Sequence, residues 1–471
     1  MINMSFKSEI FLFLFLPLFF IIYFILPKKV RKYWLLISNF IFYSYVGIRY
    51  LYVLVFSIIV NYLFGIMLTK SNDKHKKFLL VIGIFINIFI LSYFKYFNSI
   101  MTIISTILVE SDITIKVLLP IGISFYTFQG LSYIIDTYRG KIKANNNLIN
   151  FALYMTFFPT VVSGPILRYN EFEPSIDNTN TNLNNFTLGL KKFILGLSKK
   201  VILADSLALI ANNIWGLNAS DLTSIVAWLG AISYTLQIYF DFSGYSDMAI
   251  GLGKMLGFDV PINFNYPYIT KSITKFWRCW HITLSNWFRD YVYIPLGGNK
   301  KNQLFNIFIV FLLTGIWHGS GFTFVFWGMW HSLFNMLEKI LKLNIDKENN
   351  ILVSILKHIY VLIVVIIGWV FFRSPDVITA RNFISAMFLN NQYSNPGFSI
   401  TWFLTRYNVF ILLISIIGVT PIFKRTYEKL KLSINDDVLL ITENIVFLLL
   451  LILSIMTIII SNFNSFIYFQ F

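Results

Sequence analysis

The sequence predicts an all-α, polytopic integral membrane protein, and three observations predict it. Hydrophobic residues occupy 57% of the 471 positions. Charged residues occupy only 13%, whereas soluble domains carry about a quarter. Apolar stretches close to the ~20 residues that cross a bilayer recur from one end of the chain to the other. A water-soluble surface cannot be built from so few charges, but a surface facing lipid needs none.

The apolar stretches set the expected number of crossings. The predicted spans lie near residues 9–27, 33–48, 51–69, 78–95, 117–135, 151–167, 201–216, 222–240, 303–317, 322–341, 355–373, 407–424 and 443–463. We expect 10 to 12 true crossings, with the remainder re-entrant or half-spans. The first stretch, Ile10 to Leu26, has no small-residue cleavage site, and Pro27 leads from it into a basic cluster. It is therefore predicted to be a retained helix rather than a signal peptide.

The net charge of +16 comes from basic residues gathered in short loops. Such clusters occur at residues 28–32, 70–77, 139–143 and 191–200, and the positive-inside rule places them on the cytoplasmic side with the N-terminus outside. Outside these loops the sequence has no basic face interspersed with residues that could contact nucleic-acid bases, which argues against nucleic-acid binding. The single cysteine, Cys279, excludes a disulfide framework and a cysteine-based metal site.

The segment from 241 to 301 is polar although it lies between apolar spans. Its charged or titratable residues include Asp241, Asp247, Asp259, Lys271, Lys275, Arg278, His281, Arg289 and Asp290. Charges at membrane depth are costly and usually face a protein interior or a water-filled cavity. The chemistry of the protein is therefore expected in this region.

Of the five histidines, His318 carries the most information. It ends a strongly apolar segment and is followed by Gly319, so it can face a cavity that backbone or substrate approaches closely. Histidine is also the side chain best able to move a proton near neutral pH. A packing role against a neighbouring helix explains the same pattern equally well. His75 lies in a lysine run and His358 beside Lys357, and both are interpreted as solvated or interfacial.

His281 has a polar neighbourhood whose meaning depends on the local backbone. If the segment is helical, Arg278 and Ser285 lie on the same face as His281. The alternative is an interfacial aromatic belt with a snorkelling arginine, and spacing alone leaves both open. The sequence contains no His-Glu-x-x-His pattern and no Gly-x-Ser-x-Gly elbow, so neither a zinc site nor a self-contained serine triad is expected.

Five ordered sequence blocks resemble the membrane-bound O-acyltransferases, in particular the bacterial branch typified by alginate O-acetyltransferase. The blocks are residues 163–168 (SGPILR), 241–247 (DFSGYSD), 276–291 (FWRCWHITLSNWFRDY), 293–299 (YIPLGGN) and 314–319 (TGIWHG). The resemblance implies a single membrane domain over 1–471, with a catalytic core at about 118–341, a central tunnel and C-terminal helices at about 345–471.

The resemblance also implies roles for individual residues. His318 is similar to the family's tunnel histidine and becomes the expected general base, while His281, 37 residues earlier, is similar to the family's second polar position. His331 ranks third. The other expected residues are Arg278, Ser285 and Trp317 in support, and Asp241, Asp247, Arg289 and Asp290 as structural ion-pair or tunnel-lining groups.

By the same resemblance, the expected reaction moves an acetyl group from a cytoplasmic thioester, either acetyl-CoA or an acyl carrier, to a hydroxyl of an extracytoplasmic polysaccharide or peptidoglycan. No bound cofactor or metal is expected. An extracytoplasmic esterase-like partner and a location in the bacterial cytoplasmic membrane are expected. Two alternatives stay open: D-alanyl transfer toward teichoic acids on the same fold, and a non-enzymatic envelope transporter, although no internal duplication typical of transporters is visible.

Overall fold

The computed structural model describes residues 4–108, 117–177, 179, 181–343, 350–389 and 398–460. Every regular element in these ranges is helical, which confirms the all-α prediction. The chain divides into two compact units. Unit 1 comprises Met1–Phe193 and Ser246–Pro261, and unit 2 comprises Ile194–Tyr245 and Ile262–Phe471.

The helices follow one another closely along the chain. The first ten are α1 (Leu16–Ile25), α2 (Lys28–Gly47), α3 (Leu51–Lys70), α4 (Asp73–Leu108), α5 (Ile123–Tyr138), α6 (Leu148–Thr156), α7 (Tyr169–Asp177), α8 (Leu183–Ser198), α9 (Asp205–Trp215) and α10 (Ser224–Met255). The remaining ten are α11 (Ile273–Cys279), α12 (Ile282–Phe288), α13 (Gln303–His318), α14 (Phe322–Ile340), α15 (Ile351–Arg373), α16 (Val377–Phe388), α17 (Ile400–Phe403), α18 (Arg406–Gly418), α19 (Ile422–Ser433) and α20 (Asp436–Ile460). Three π-helical segments also occur, at Ile10–Phe15, Lys199–Ala204 and Arg289–Tyr293.

Fewer helices are both long enough and apolar enough to span a membrane than the number of crossings that the sequence predicts. Among the described residues, five are long and apolar enough to cross a membrane, or six if the bent pair α18 and α19 forms one span, against the 10 to 12 crossings expected. The five are Ile48–Lys70, Asp73–Ser105, Ser224–Met255, Ile351–Arg373 and Asp436–Ile460. Three further apolar helices are shorter, at Ile10–Ile25, Gln303–His318 and Val377–Phe388.

Helix-breaking residues account for part of this difference. In the predicted span 151–167, α6 is nine residues long and the chain then turns through Pro159 and Pro165. In the predicted span 117–135, Pro120 and Gly122 delay the start of α5, with Gly122 at φ 78°. Proline cannot continue a helix, and glycine adopts positive φ without steric cost. Apolar length alone therefore overestimated helix length.

In unit 1, the almost wholly buried α5 packs against α3 and α4. A pair of buried amides links α3 to α4, because Asn61 and Asn87 donate to each other at 3.1 and 3.0 Å. Buried amides need such partners, since an unsatisfied polar group inside a protein is costly. The pair fixes the register of these two helices.

In unit 2, α13 and α14 pack so closely that their backbones are in contact. A Cβ atom at Gly315 would lie 2.5 Å from the carbonyl oxygen of Phe324, and one at Gly328 would overlap the carbonyl oxygen of Phe311. Small residues of this kind permit close helix packing in membranes, where lipid supplies no hydrophobic drive between helices. The next helix, α15, joins this pair, and Trp330 on α14 donates its indole N–H to the carbonyl of Val364 at 2.8 Å.

The outward faces of the long helices are apolar. Along α20 the side chains of Ile441, Ile445, Leu448 and Ile452 are each about half exposed. Water would not tolerate such a surface, whereas lipid requires it.

Candidate active site

A small cavity in unit 2 brings the two leading histidine candidates together. Its volume is about 190 Å³, room for about six waters at ~30 Å³ each and below the roughly 300–1,000 Å³ of ordinary ligand pockets. It is lined by Trp277, Arg278, Trp280, His281, Leu284, Ser285, Phe288, Tyr293, Ile307, Val310, Phe311, Thr314, His318 and Asn335. A cavity of this size has room for the reacting ends of two substrates, but not for two whole substrates.

His281 occupies a break between two short helices rather than the face of one. Its backbone is in the left-handed region, at φ 43° and ψ 55°, between α11 and α12. The continuous helical stripe considered for Arg278, His281 and Ser285 therefore does not form, yet all three side chains line the same cavity. A left-handed conformation at a non-glycine residue costs about 1–3 kcal/mol and is concentrated at functional sites.

Asn263 determines which nitrogen of His281 carries the proton. The amide oxygen Oδ1 of Asn263 accepts the backbone N–H of Thr283 at 3.2 Å, and a backbone N–H can only donate, which fixes the amide orientation. The same oxygen lies 3.2 Å from Nδ1 of His281, so Nδ1 is the protonated nitrogen and Nε2 carries the lone pair. Burial lowers the pKa of the His281 imidazole, which lies outside the spanning helices, to about 3. The ring is therefore neutral, and its Nε2 is an acceptor.

His318 is the last residue of α13 and is 4% exposed. Its ring is surrounded edge-on by three aromatic rings, with centroids 4.8 Å away for Trp317, 5.0 Å for Trp327 and 5.0 Å for Phe372. The Trp317 ring also lies 6.5 Å from that of His281. A cation is favoured at the carboxyl end of a helix, so this position favours the charged form of the His318 ring.

Glu338 supports the cavity, and the sequence interpretation missed it. This buried residue of α14 accepts the first two backbone N–H groups of α11, from Ile273 at 2.5 Å and from Thr274 at 2.9 Å, as well as the Thr274 hydroxyl at 2.9 Å. A carboxylate satisfies the unpaired donors of a helix start and opposes its positive dipole end. A lone acidic residue in an apolar helix signals such a function, and that signal was present in the sequence.

Replacing Glu338 by alanine is expected to lower the turnover rate about tenfold or more. The change leaves one buried and one partly buried N–H group without their acceptor, at about 1–3 kcal/mol for the buried one. It also frees the start of α11, which carries Arg278 into the cavity, and small misplacements of reacting groups are costly. Glu338→Gln keeps one acceptor and should fall between. The measurement is the rate per amount of folded protein that elutes as a single species in detergent.

The matched control for this prediction is Glu428→Ala, since Glu428 is an exposed acidic residue on α19. Its rate should equal that of the unchanged protein. An unchanged rate in Glu338→Ala, at normal protein recovery, would show that α11 holds its position without this carboxylate.

His331 does not line the cavity. Its ring is fully buried among tryptophans, with centroids 4.9 Å from Trp277, 5.3 Å from Trp327 and 6.3 Å from Trp369. A Cβ at position 368 would overlap this ring, so Gly368 makes room for it. Neither ring nitrogen has a hydrogen-bond partner among the described residues. His331 thus lies directly behind Trp277, one of the walls of the cavity.

The four acidic and basic residues expected to be ion-pair or tunnel-lining groups all form ion pairs. In unit 2, Asp241 and Asp205 both contact the buried ammonium of Lys200, at 2.5 and 2.7 Å. In unit 1, Asp247 pairs with Lys192 at 2.7 Å. Arg289 holds its neighbour Asp290 through two hydrogen bonds of 2.7 and 3.1 Å. No group of three metal-ligating side chains occurs in the part of the chain that the structure describes.

An all-helical, multi-pass membrane protein with two histidines on one buried cavity is the class that the fold and the site define. The family model for membrane-bound O-acyltransferases matches residues 141–373. The chain belongs to this family, and it is an O-acyltransferase.

Three relatives show the range of similarity. A Pseudomonas putida protein described as a probable alginate O-acetylase is 37% identical, over 99% of this chain and 100% of its own length. A peptidoglycan O-acetyltransferase of Helicobacter pylori is 33% identical, over 89% of this chain and 86% of its own. A teichoic acid D-alanyltransferase of Bacillus subtilis is 31% identical, over 46% of this chain and 60% of its own.

Proposed function

We propose that the chain transfers an acetyl group from a thioester to a hydroxyl of an envelope polysaccharide or of peptidoglycan. The observation that carries the proposal is the shared cavity of His281 and His318. The extent of similarity supports acetyl as the acyl group, because the relatives described as O-acetylating proteins align over nearly the whole chain. The similarity to the D-alanyltransferase covers about half of it.

In the proposed reaction His318 is the general base. Its ring nitrogen takes the proton of the acceptor hydroxyl as the hydroxyl oxygen attacks the thioester carbonyl. The C–S bond then breaks, and the thiolate recovers the proton from the imidazolium. Proton transfer of this kind contributes about 10²–10⁴-fold to a rate.

The other cavity residues orient the attacking hydroxyl and stabilise the charge that develops on the carbonyl oxygen. The lone pair on Nε2 of His281 accepts a hydrogen bond and cannot give one while the ring is neutral, so His281 orients a donor group such as the attacking hydroxyl. Arg278 and Ser285 are among the donors that line the cavity, and they suit the negative charge that develops on the carbonyl oxygen. Trp317 separates the imidazole rings of His281 and His318 and shields them from water. His331 supports the Trp277 wall.

The remaining parts of the proposal concern the surroundings. The donor, acetyl-CoA or an acyl carrier, reaches the cavity from the cytoplasm, and the acceptor side is extracytoplasmic. The chain lies in the cytoplasmic membrane with its N-terminus outside, consistent with the basic loops. It forms one catalytic domain over 1–471. An esterase-like partner outside the membrane completes the delivery of the transferred acetyl group to the polymer.

Ester-linked acetate in the cell envelope tests the proposal directly. Envelope polymers from cells with and without the chain are treated with mild alkali, and the released acetate and alanine are quantified. We expect acetate to fall to background without the chain and alanine to stay unchanged. Loss of alanine with unchanged acetate would contradict acetyl transfer and favour D-alanylation.

A further inference from the structure

A second, larger cavity lies in unit 1 and is strongly basic on one side. Its volume is about 700 Å³, within the roughly 300–1,000 Å³ of ligand sites. The first turns of α2 supply four cationic lining residues, Lys28, Lys29, Arg31 and Lys32, against a single acidic one, Asp177. We refer to this cavity as the α2 cleft.

Two of the four cations already have partners and form the wall of the α2 cleft. The Arg31 guanidinium donates to the carbonyl oxygens of Leu26 and Phe24 at 3.0 and 3.3 Å and lies 5.3 Å from the Tyr23 ring centroid. Lys32 pairs with Asp177 at 2.8 Å. These contacts fix the positions of the Arg31 and Lys32 side chains, so this side of the cleft has a defined shape.

The other two cations are available to a ligand. Lys28 and Lys29 are exposed, and neither ammonium has a hydrogen bond or ion pair among the described residues. They also lie at the wrong end of α2, since the positive dipole end of a helix disfavours cations and the first turn contains no acidic residue. An anion bound in the cleft would relieve both the dipole and the mutual repulsion of the lysines.

Apolar side chains lie beneath and beside the α2 cleft. Leu35, Leu153, Ile176 and Phe258 line it but are buried, so the accessible apolar surface is that of the neighbouring stretch, where Ile25 is 77% exposed. A charged rim beside exposed apolar side chains, at the end of an apolar helix, matches a phosphate that carries hydrocarbon chains. A fully water-soluble anion would gain nothing from these apolar side chains.

We propose that the α2 cleft binds the phosphate of an anionic phospholipid, with Lys28 and Lys29 contacting the phosphate and the exposed apolar side chains beside the cleft, such as Ile25, contacting its chains. Basic pockets between membrane helices recognise headgroups in this way. The inference is independent of the acyl-transfer chemistry, because it rests only on residues of unit 1.

The test is a lipid titration of the full chain in neutral detergent, read by native mass spectrometry. We expect phosphatidylglycerol to bind at least fivefold more tightly than phosphatidylcholine. The variant Lys28→Gln/Lys29→Gln should lose this preference, and Lys28→Arg/Lys29→Arg should keep it. The matched control is Lys74→Gln/Lys77→Gln, which removes the same charge from exposed positions on α4 and should bind as the unchanged chain does.

Three outcomes would overturn the proposal. Equal affinity for the two lipids in the unchanged chain would remove it, and so would an equal loss in the α4 control, because the effect would then be one of net charge. A third arm adds inorganic phosphate or coenzyme A to the lipid complex. Displacement of phosphatidylglycerol by either soluble phosphate at matched concentration would assign the α2 cleft to a water-soluble ligand instead.

Discussion

Replacing His318 by alanine is expected to abolish envelope acetylation while the amount of protein in the membrane stays unchanged. The imidazole ends α13 at the cavity wall, where it can accept the hydroxyl proton and where the helix end favours its charged form. Loss of a general base lowers a rate by about 10²–10⁴-fold. The measurements are ester-linked acetate per cell and an immunoblot of the membrane fraction.

The design needs controls for packing, because His318 also touches three aromatic rings. His318→Gln retains a polar side chain of similar reach but cannot take up a proton near neutral pH, so it should be as inactive as the alanine variant. His75→Ala, at an exposed position on α4, should acetylate normally. Full acetylation by His318→Ala would remove the proposed mechanism altogether.

A severe defect, about 10²-fold, is also expected for His281→Ala. The truncation removes the Nε2 acceptor that we propose orients the hydroxyl, and misplacement of reacting groups by about 1 Å can cost 10²-fold. Asn263→Leu retains the side-chain volume but leaves the Nδ1 proton and the Thr283 N–H without their acceptor. It should lower the rate about tenfold, because the ring then loses its fixed tautomer. The measurement is the turnover rate of each single variant and of the double variant.

The double variant separates orientation from simple destabilisation. If Asn263 acts through His281, adding Asn263→Leu to His281→Ala should cost little more than His281→Ala alone. Additive losses would mean that Asn263 acts only by holding Thr283 and the start of α12. Activity of His281→Ala near that of the unchanged protein would reduce His281 to a packing residue.

Composition and the apolar runs were sufficient to predict the helical membrane fold. For α13, which carries His318, they also predicted the helix boundaries. The predicted span 303–317 corresponds to α13, Gln303–His318, because an uninterrupted apolar run has only one way to satisfy its backbone in lipid. Other spans were overestimated, since apolar residues also fill turns and short helices that are buried in protein. Hydropathy does not distinguish a side chain facing lipid from one facing a protein core.

The candidate site was predictable only where a signal is local in sequence. His318 stands out because a histidine ends an apolar run, and His281 because tryptophans and an arginine surround it. The left-handed backbone at His281 could not be predicted, because no glycine or asparagine, the residues that usually adopt it, is present at this turn. Asn263 and Glu338 contact the 273–283 region from 18 and 65 residues away, and such pairings are decided by tertiary packing.

The glycine contacts between α13 and α14 divide the cavity into a fixed wall and an adjustable one. With no side chains between the two backbones, neither helix can slide past the other without steric overlap, so the α13–α14 pair holds His318 in a fixed position. The α11–α12 segment is joined to this pair by the Glu338 carboxylate, and its chain turns at one strained residue, His281. If a bulky acyl donor enters the cavity, we expect the adjustment to occur in the α11–α12 segment near His281 and His318 to keep its place.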